Sequence, residues 1–297
     1  MDDEAYKALK PSQTARYEIR DASYLVRTWG PDSARPIVLL HGMRDTSTTF
    51  QFLVDALNGT WRIIAPDWRG HGQSQAIAHG YWFHDYLADL DALLEILVPD
   101  QAVDLIGHSL GGNVASVYAG LRPDRVRHVI SLDAFGTLDQ SDSNFPDLLA
   151  NWLQSGRSKA VYPRYHSVEQ MADKLCASNR RLGWDKALYL ALNSSRPVLD
   201  NGFTWQNDIV TRRSMPTFHT LNEWMACWRR ITAPKLWIAA ADPLPRTVAA
   251  NPESFALVRA QIDAKSFIHL PDTGHNIHHD APLKLAEIIE EFLCRES

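Results

Sequence analysis

The sequence predicts an α/β protein in which a mostly parallel sheet carries helices on both faces and a helical insertion interrupts the core. Two observations support this fold class. Short apolar segments alternate with segments of helical periodicity, and this alternation stops after about Phe135 and resumes at about Lys235. Nearly continuous apolar strands are typical of a parallel sheet that is buried on both faces. With 297 residues, the chain can form one large domain with an insertion.

Seven segments are predicted as strands. The first, residues 23–29, alternates between apolar and polar side chains, and the later ones are short and mostly apolar. The predicted strands are 23–29, 36–40, 61–65, 102–106, 126–132, 235–239 and 266–270. Right-handed crossovers between parallel strands bring successive loops to the carboxyl edge of the sheet, where ligands bind in such folds. Catalytic residues are therefore expected directly after these strands.

Helices are predicted between the strands. The clearest one is 82–98, where Leu87, Leu90, Leu94 and Leu97 share one side. Core helices are also predicted at 46–57, 110–121, 253–261 and 282–294. The insertion has predicted helices at 146–153, 168–179, 184–192 and 221–230, and no convincing strand. The predicted division is a core of residues 1–135 and 233–297 and an inserted helical domain of residues 136–232.

Composition excludes several function classes. Lys and Arg total 30 and Asp and Glu total 35, and the formal net charge of -5 argues against nucleic acid as the main partner. No segment approaches the ~18 apolar residues of a membrane span, and the acidic start Met1-Asp2-Asp3-Glu4 does not resemble a secretory signal. The three cysteines form neither a disulfide framework nor a metal-binding spacing. We expect a cytoplasmic protein without membrane insertion or cofactor.

The strongest chemical signal is Gly107-His108-Ser109-Leu110-Gly111. Gly-x-Ser-x-Gly alone occurs by chance in roughly one chain in ten of this length. Here it lies between a predicted strand and a predicted helix, which is the setting of a nucleophilic serine. The two glycines avoid collisions in a tight turn, and the helix N-terminus leaves backbone N–H groups unpaired. We predict Ser109 as a nucleophile; the alternative is a plain helix N-cap.

A serine hydroxyl is a weak nucleophile and needs a base. His275 follows the predicted strand 266–270 and can reach the same sheet edge as Ser109. His278 and His279 are rival candidates, which we interpret as solvated or hydrogen-bonded to the loop. A histidine cluster can also indicate a metal, but the sequence shows no second ligand cluster, so no metal is expected.

The base needs a carboxylate that orients it. Two aspartates end predicted strands at the carboxyl edge, Asp133 and Asp242. Either one gives the chain order Ser, Asp, His. We favour Asp242, because the following Pro243-Leu244-Pro245 would make its loop rigid. In that interpretation, Asp133 lines the site or caps backbone groups.

Acyl transfer also needs hydrogen-bond donors for an oxyanion. One candidate is the N–H of Leu110, directly after the nucleophile. The second is the N–H of Met43, in a loop that begins with His41-Gly42 after the strand 36–40. We expect His41, Gly42 and His108 to border the bound substrate.

With these residues in place, the sequence resembles the α/β-hydrolase superfamily, in its serine-nucleophile, esterase-like branch with a helical cap. The matching segments, in the family's order, are His41-Gly42, Asp67-Trp68-Arg69-Gly70-His71-Gly72-Gln73-Ser74, the serine motif, Asp242 and Gly274-His275. The resemblance implies an eight-stranded sheet and a cap inserted after the sixth strand. It also implies that Asp67 and Arg69 stabilise the loop beside the site. Serine instead of aspartate at the nucleophile position disfavours dehalogenase and epoxide-hydrolase activity.

The expected function is hydrolysis of a carboxylic ester of a small to medium apolar substrate through an acyl-enzyme. Ser109 attacks the carbonyl, His275 takes the proton and later activates water, and Asp242 orients the imidazole. The cap would bury the apolar group; its candidate lining residues, which could instead be cap core, are Trp152, Trp184, Trp205 and Trp224. Two alternatives stay open: cleavage of a C–C, lactone or amide bond by the same triad, and non-catalytic binding of a small molecule.

Overall fold

The computed structural model describes residues 5–78, 80–136, 145–157, 161–199, 201–212, 220–240 and 252–295. Ten strands lie in these ranges: β1 Gln13–Ile19, β2 Ala22–Trp29, β3 Pro36–Leu40, β4 Arg62–Pro66, β5 Val103–His108, β6 Val126–Leu132, β7 Ser195–Val198, β8 Gly202–Trp205, β9 Lys235–Ala240 and β10 Phe267–Leu270. Eight of them form one sheet in the order β1-β2-β4-β3-β5-β6-β9-β10. The fold class predicted from the sequence is confirmed.

The strands from β3 onwards in this sheet run parallel to one another, whereas β2 is antiparallel to both β1 and β4. The carboxyl ends of β3, β5, β6, β9 and β10 therefore meet at one edge. All seven predicted strands are present. The sequence prediction missed β1, because it is a mostly exposed, polar edge strand without an apolar run.

The helices, in chain order, are α1 Gln51–Ala56, α2 Phe83–Leu97, α3 Leu110–Leu121, α4 Phe145–Arg157, α5 Val168–Ser178, α6 Trp184–Ser194, α7 Leu221–Trp228, α8 Pro252–Gln261, α9 Ile277–Asp280 and α10 Pro282–Arg295. The core helices cover both faces of the sheet. Val38 and Leu40 pack with α2 and α3, and Ile37 and Leu39 pack with α1 and α10. This alternation follows from the two-residue period of a strand. Among the described residues, no helix is both long and apolar enough to cross a membrane.

The segment between β6 and β9 has a small apolar core of its own. Met171 of α5 and Leu188 of α6 pack there together with Phe52 of α1. The strands β7 and β8 form a two-stranded antiparallel sheet beside them, which differs from the expectation of an all-helical insertion. Each of these strands has only four residues, too few to show a clear alternation. The domain boundaries remain a prediction.

The helix α7 packs tightly against α3. A Cβ atom on Gly120 of α3 would lie 2.1 Å from the carbonyl oxygen of Cys227 of α7. Trp224 and Trp228 of α7 belong to the same buried cluster as the core helices α2 and α3. The helix α7 therefore contributes to the core behind α3.

Residues 5–10, which we call the N-terminal strap, connect α6 to α1. The backbone N–H of Tyr6 donates to the carbonyl oxygen of Asp185 at 2.9 Å, and its hydroxyl donates to Asp55 Oδ2 at 2.9 Å. The backbone N–H of Lys10 donates to Asp55 Oδ1 at 2.7 Å. The Tyr6 ring also packs edge-on against Phe52, with 4.8 Å between the ring centroids. The strap thus joins a helix of the insertion to a helix of the core.

Candidate active site

Ser109 lies in a strained turn between β5 and α3. Its backbone angles are φ 52° and ψ −116°, and its side chain makes no N-cap hydrogen bond. This geometry gives no support to the N-cap alternative. A Cβ on Gly107 would lie 2.2 Å from the Gly111 carbonyl oxygen, and a Cβ on Gly111 would lie 2.0 Å from the Leu40 carbonyl oxygen. The turn therefore requires glycine at both positions, as the motif predicts.

The candidate oxyanion donors border this turn. Leu110 is the first residue of α3, so its N–H has no acceptor within the helix. A Cβ on Gly42 would lie 3.3 Å from the Cβ of Ser109 and 2.9 Å from Nδ1 of His108. The backbone that leads from Gly42 to the half-buried Met43 therefore passes beside the serine.

His41 fixes the loop that contains Gly42 and Met43 through two hydrogen bonds to backbone groups. Its Nε2 accepts a hydrogen bond from the Trp68 backbone N–H at 2.9 Å, and its Nδ1 therefore carries the proton that it donates to the Gly42 carbonyl at 2.7 Å. Complete burial lowers the pKa of His41 to about 4, which keeps the ring neutral. With both nitrogens bonded to backbone groups, His41 positions the loop; the substrate contact expected from the sequence has no geometric support.

Asp67 and Arg69 stabilise the neighbouring loop, as the resemblance implies. The Asp67 carboxylate accepts backbone hydrogen bonds from Ser47 at 2.7 Å and from Gln73 at 3.0 Å. Arg69 is buried, and its Nη2 donates to Asp89 Oδ1 at 2.6 Å. Asp89 lies on α2 and had no signal in the sequence beyond its helical position.

His275 lies in the loop after β10 and is hydrogen-bonded to Asp133. Its Nδ1 is 2.7 Å from Asp133 Oδ2, and the other carboxylate oxygen accepts the backbone N–H of Ala240 at 3.0 Å. The Asp133 side chain is fully buried, whereas the His275 side chain is 49% exposed. In the described part of the chain, the carboxylate on this imidazole is therefore that of Asp133. Asp242, which the sequence favours, lies outside the described residues.

A layer of buried histidines lies behind His275. His108 Nε2 donates to the His275 carbonyl oxygen at 2.8 Å, and its ring centroid is 4.7 Å from that of His275. His278 and His279 both contact the Thr49 hydroxyl through Nε2, at 2.8 Å and 2.6 Å. Burial lowers the pKa of His108 and His278 well below the usual value and that of His279 to about 3. The interpretation of His278 and His279 as solvated is wrong, because α9 buries both rings.

A cavity of about 480 Å³ lies between the core and the insertion. Met43 and His279 border it from the core, and Tyr165, Leu190 and Trp205 border it from the insertion. The loop that contains Met43 thus opens into a space that can hold a small to medium ligand.

The four candidate tryptophans of the insertion differ in position. Only Trp205 lines the described cavity. Trp224 packs in the core cluster, with its ring 4.9 Å from that of Phe83. Trp152 and Trp184 are 36% and 37% exposed. These three tryptophans therefore fit neither the expected lining role nor the alternative of cap core, because none of them belongs to the apolar core of the insertion.

Comparisons with known proteins identify the family and the fold. A sequence model of a family described as "alpha/beta hydrolase fold" matches residues 35–282. A "serine hydrolase-like protein" from Danio rerio is 28% identical over 283 residues, which cover 91% of this chain and 85% of the fish protein. The structure of a hypothetical protein from Pseudomonas aeruginosa PAO1 aligns with a TM-score of 0.84 at 25% identity, over 95% of this chain and 100% of the other. The structure of E-2-(acetamidomethylene)succinate hydrolase aligns with a TM-score of 0.77 at 22% identity, over 96% and 100%.

Proposed function

The chain belongs to the α/β-hydrolase family, and from this premise we propose that it hydrolyses a carboxylic ester through an acyl-enzyme on Ser109. The observation that carries the proposal is the His275–Asp133 hydrogen bond of 2.7 Å at the sheet edge where the strained serine turn lies. The similarity to a serine hydrolase-like protein over nearly the whole chain supports the same chemistry.

In the first step, the Ser109 hydroxyl attacks the substrate carbonyl and passes its proton to His275. Nδ1 of His275 is bonded to Asp133, so Nε2 is the nitrogen that accepts the proton. The buried carboxylate fixes this tautomer and stabilises the imidazolium that forms. The backbone N–H groups of Met43 and Leu110 bind the oxyanion of the tetrahedral intermediate.

In the second step, His275 protonates the leaving alcohol and then activates a water molecule. Its half-exposed side chain gives water a route to the acyl-enzyme. The acyl group would occupy the cavity beside Met43, with Trp205 as an apolar wall. A space of about 480 Å³ suits a small to medium substrate.

A fluorophosphonate probe tests the nucleophile directly. We expect the probe to label the wild-type protein covalently and to leave Ser109→Ala unlabelled. Ser178→Ala is the control, because Ser178 is an exposed serine that borders the cavity. Circular dichroism of each variant confirms folding. Labelling that persists in Ser109→Ala would assign another nucleophile, and a folded wild-type protein that resists labelling would favour non-catalytic binding.

A series of p-nitrophenyl esters of increasing acyl length, run beside C–C, lactone and amide substrates, tests the bond type. We expect ester turnover to exceed that of the other bonds. Higher turnover of a C–C, lactone or amide substrate would keep the nucleophile but refute the ester assignment.

A further inference from the structure

Asp45, His278 and His279 form a cluster that the proposed mechanism does not use. One ligand-type atom from each residue lies within 4.8 Å of the other two. Asp45 belongs to the loop after β3, and the two histidines belong to α9. The sequence offers no second partner for the histidine cluster, but the fold supplies one from a position more than 230 residues earlier in the chain.

The donor atoms of this cluster are suited to a cation. The two imidazoles are buried side by side, with 4.2 Å between the ring centroids. Among the described residues, the Asp45 carboxylate accepts the Thr46 backbone N–H at 2.8 Å but forms no ion pair with Lys or Arg. Imidazole nitrogens and a carboxylate are ligand types that zinc and related transition metals prefer.

The Thr49 hydroxyl now lies where the two Nε2 atoms converge. A hydroxyl has one proton to donate, so it links the two imidazoles in place of a cation. Tetrahedral zinc holds nitrogen and oxygen ligands about 2.0–2.2 Å away, which brings ligand atoms to about 3.5 Å from one another. The ligand-type atoms of the cluster, which lie within 4.8 Å of one another, would have to approach to that spacing when an ion binds.

We infer that Asp45, His278 and His279 form a binding site for a divalent transition-metal cation at the edge of the cavity. Asp45 and His279 line the cavity, so the ion can enter from it and keep a water molecule as the fourth ligand. The ion would join the oxyanion loop, which contains Met43, to α9, which follows His275 by two residues. This inference does not depend on the proposed function, because ion binding is measured without a substrate.

Cobalt(II) titration of untagged, chelator-treated protein tests the site. We expect one equivalent to bind with the strong visible absorption of tetrahedral Co²⁺, and zinc to displace it. Asp45→Asn and His279→Gln should each weaken binding by at least about 100-fold, more than the loss of an outer-shell partner. His84→Gln, which changes an exposed histidine on α2, is the control and should bind as the wild type does.

Asp45→Asn also guards against misfolding of the histidine variant, since an asparagine can still accept the Thr46 N–H bond. A second readout is the zinc-dependent rise in melting temperature, which both ligand variants should lose. The inference fails if the wild type shows only weak octahedral absorption, or if a folded Asp45→Asn or His279→Gln protein binds cobalt as tightly as His84→Gln.

Discussion

The Asp133 carboxylate and the His275 imidazole meet at 2.7 Å although 142 positions separate them in the chain. Asp133 is held in place by two strands. Its backbone N–H donates to the Ile238 carbonyl at 2.8 Å, and its Oδ1 accepts the Ala240 N–H at 3.0 Å, both in β9. The left-handed φ of 49° at Asp133 turns the chain out of β6 and directs the side chain to this position. The carboxylate is therefore rigid before any substrate binds.

Asp133→Asn should reduce kcat about 10⁴-fold, because the amide N–H₂ would face Nδ1 of His275 and favour the wrong tautomer. The amide oxygen can still accept the Ala240 N–H, so the melting temperature should change little. Steady-state kinetics with a p-nitrophenyl ester and thermal unfolding measure the two effects.

Asp242→Asn is the matched control, since Asp242 is the rival that the sequence favours. We expect its kcat to stay within about tenfold of the wild type, a small change beside the loss of an orienting carboxylate. A larger loss in Asp242→Asn than in Asp133→Asn would show that the acid is Asp242.

Ser109→Gly should be more stable than Ser109→Ala, although both variants lose the nucleophile. The φ of 52° at this position is strained for any residue with a Cβ, at a cost of about 1–3 kcal/mol. Glycine relieves the strain, offset by about 0.5–1 kcal/mol of extra chain entropy in the unfolded state. Urea unfolding should give Ser109→Gly an advantage of about 1 kcal/mol. Equal or lower stability of the glycine variant would mean that the turn is not strained.

Trp205→Ala should raise KM for esters with long acyl groups, because Trp205 forms an apolar wall of the cavity. Loss of a buried aromatic contact of about 1.5–3 kcal/mol corresponds to a tenfold or larger increase in KM. Trp152→Ala is the control, since Trp152 contacts Trp82 at 6.3 Å between ring centroids and does not line the cavity. Equal KM changes in the two variants would contradict this placement.

Stability should fall as the pH drops from about 6.5 towards 4. Burial lowers the pKa of five histidines: His41, His71, His108, His278 and His279. Below the usual histidine pKa of 6.5, these imidazoles bind protons in the unfolded chain but stay neutral in the folded chain. Acid therefore favours unfolding. For His41, with a pKa of about 4, the effect amounts to about 3 kcal/mol.

Protonation of Asp45 affects stability in the opposite direction, because it favours the folded state as the pH falls. Burial raises its pKa to about 6, so the folded state gains protons before the unfolded state does. The raised pKa of Asp45 offsets only part of the effect of the five histidines, so the net result is a loss of stability in acid. Urea unfolding at a series of pH values measures the slope of this loss.

His71→Asn isolates one titrating group. The asparagine N–H can replace the bond of His71 Nδ1 to the Arg69 carbonyl, and the Nε2 of His71 has no partner among the described residues. Between pH 6.5 and pH 3, the pH dependence of the free energy of unfolding should correspond to about one fewer proton bound on unfolding than in the wild type. The exposed His84→Gln should keep the wild-type slope, and an unchanged slope in His71→Asn would refute the assignment.

The serine turn was predictable because its determinants are local. Gly107, Ser109 and Gly111 lie next to one another in the chain, and the neighbouring strand and helix have strong patterns. The carboxylate that is hydrogen-bonded to His275 was not predictable in the same way. Two strands end in aspartate at one edge of the sheet, and the proximity of Asp133 to His275 depends on strand register and on a left-handed φ, which a pattern of apolar residues does not show.

The insertion was the least predictable part of the site. Its helices follow from periodicity, but whether a tryptophan lines a cavity depends on how the helices are rotated against the core. The hairpin of β7 and β8, which places Trp205 at the cavity, is too short to be recognised from its sequence. The proximity of Asp45 to His278 and His279 was also hidden, because these residues come from opposite ends of the chain.

The hydrogen bonds of Tyr6 to both Asp185 and Asp55 have a practical consequence for protein production. An affinity tag or reporter fused directly before residue 5 would disturb the N-terminal strap that joins α6 of the insertion to α1 of the core. A shortened version that starts after Lys10 would lack the strap. Such material would show altered kinetics while its central sheet stayed intact. A fusion at the other terminus, after α10, does not alter the N-terminal strap.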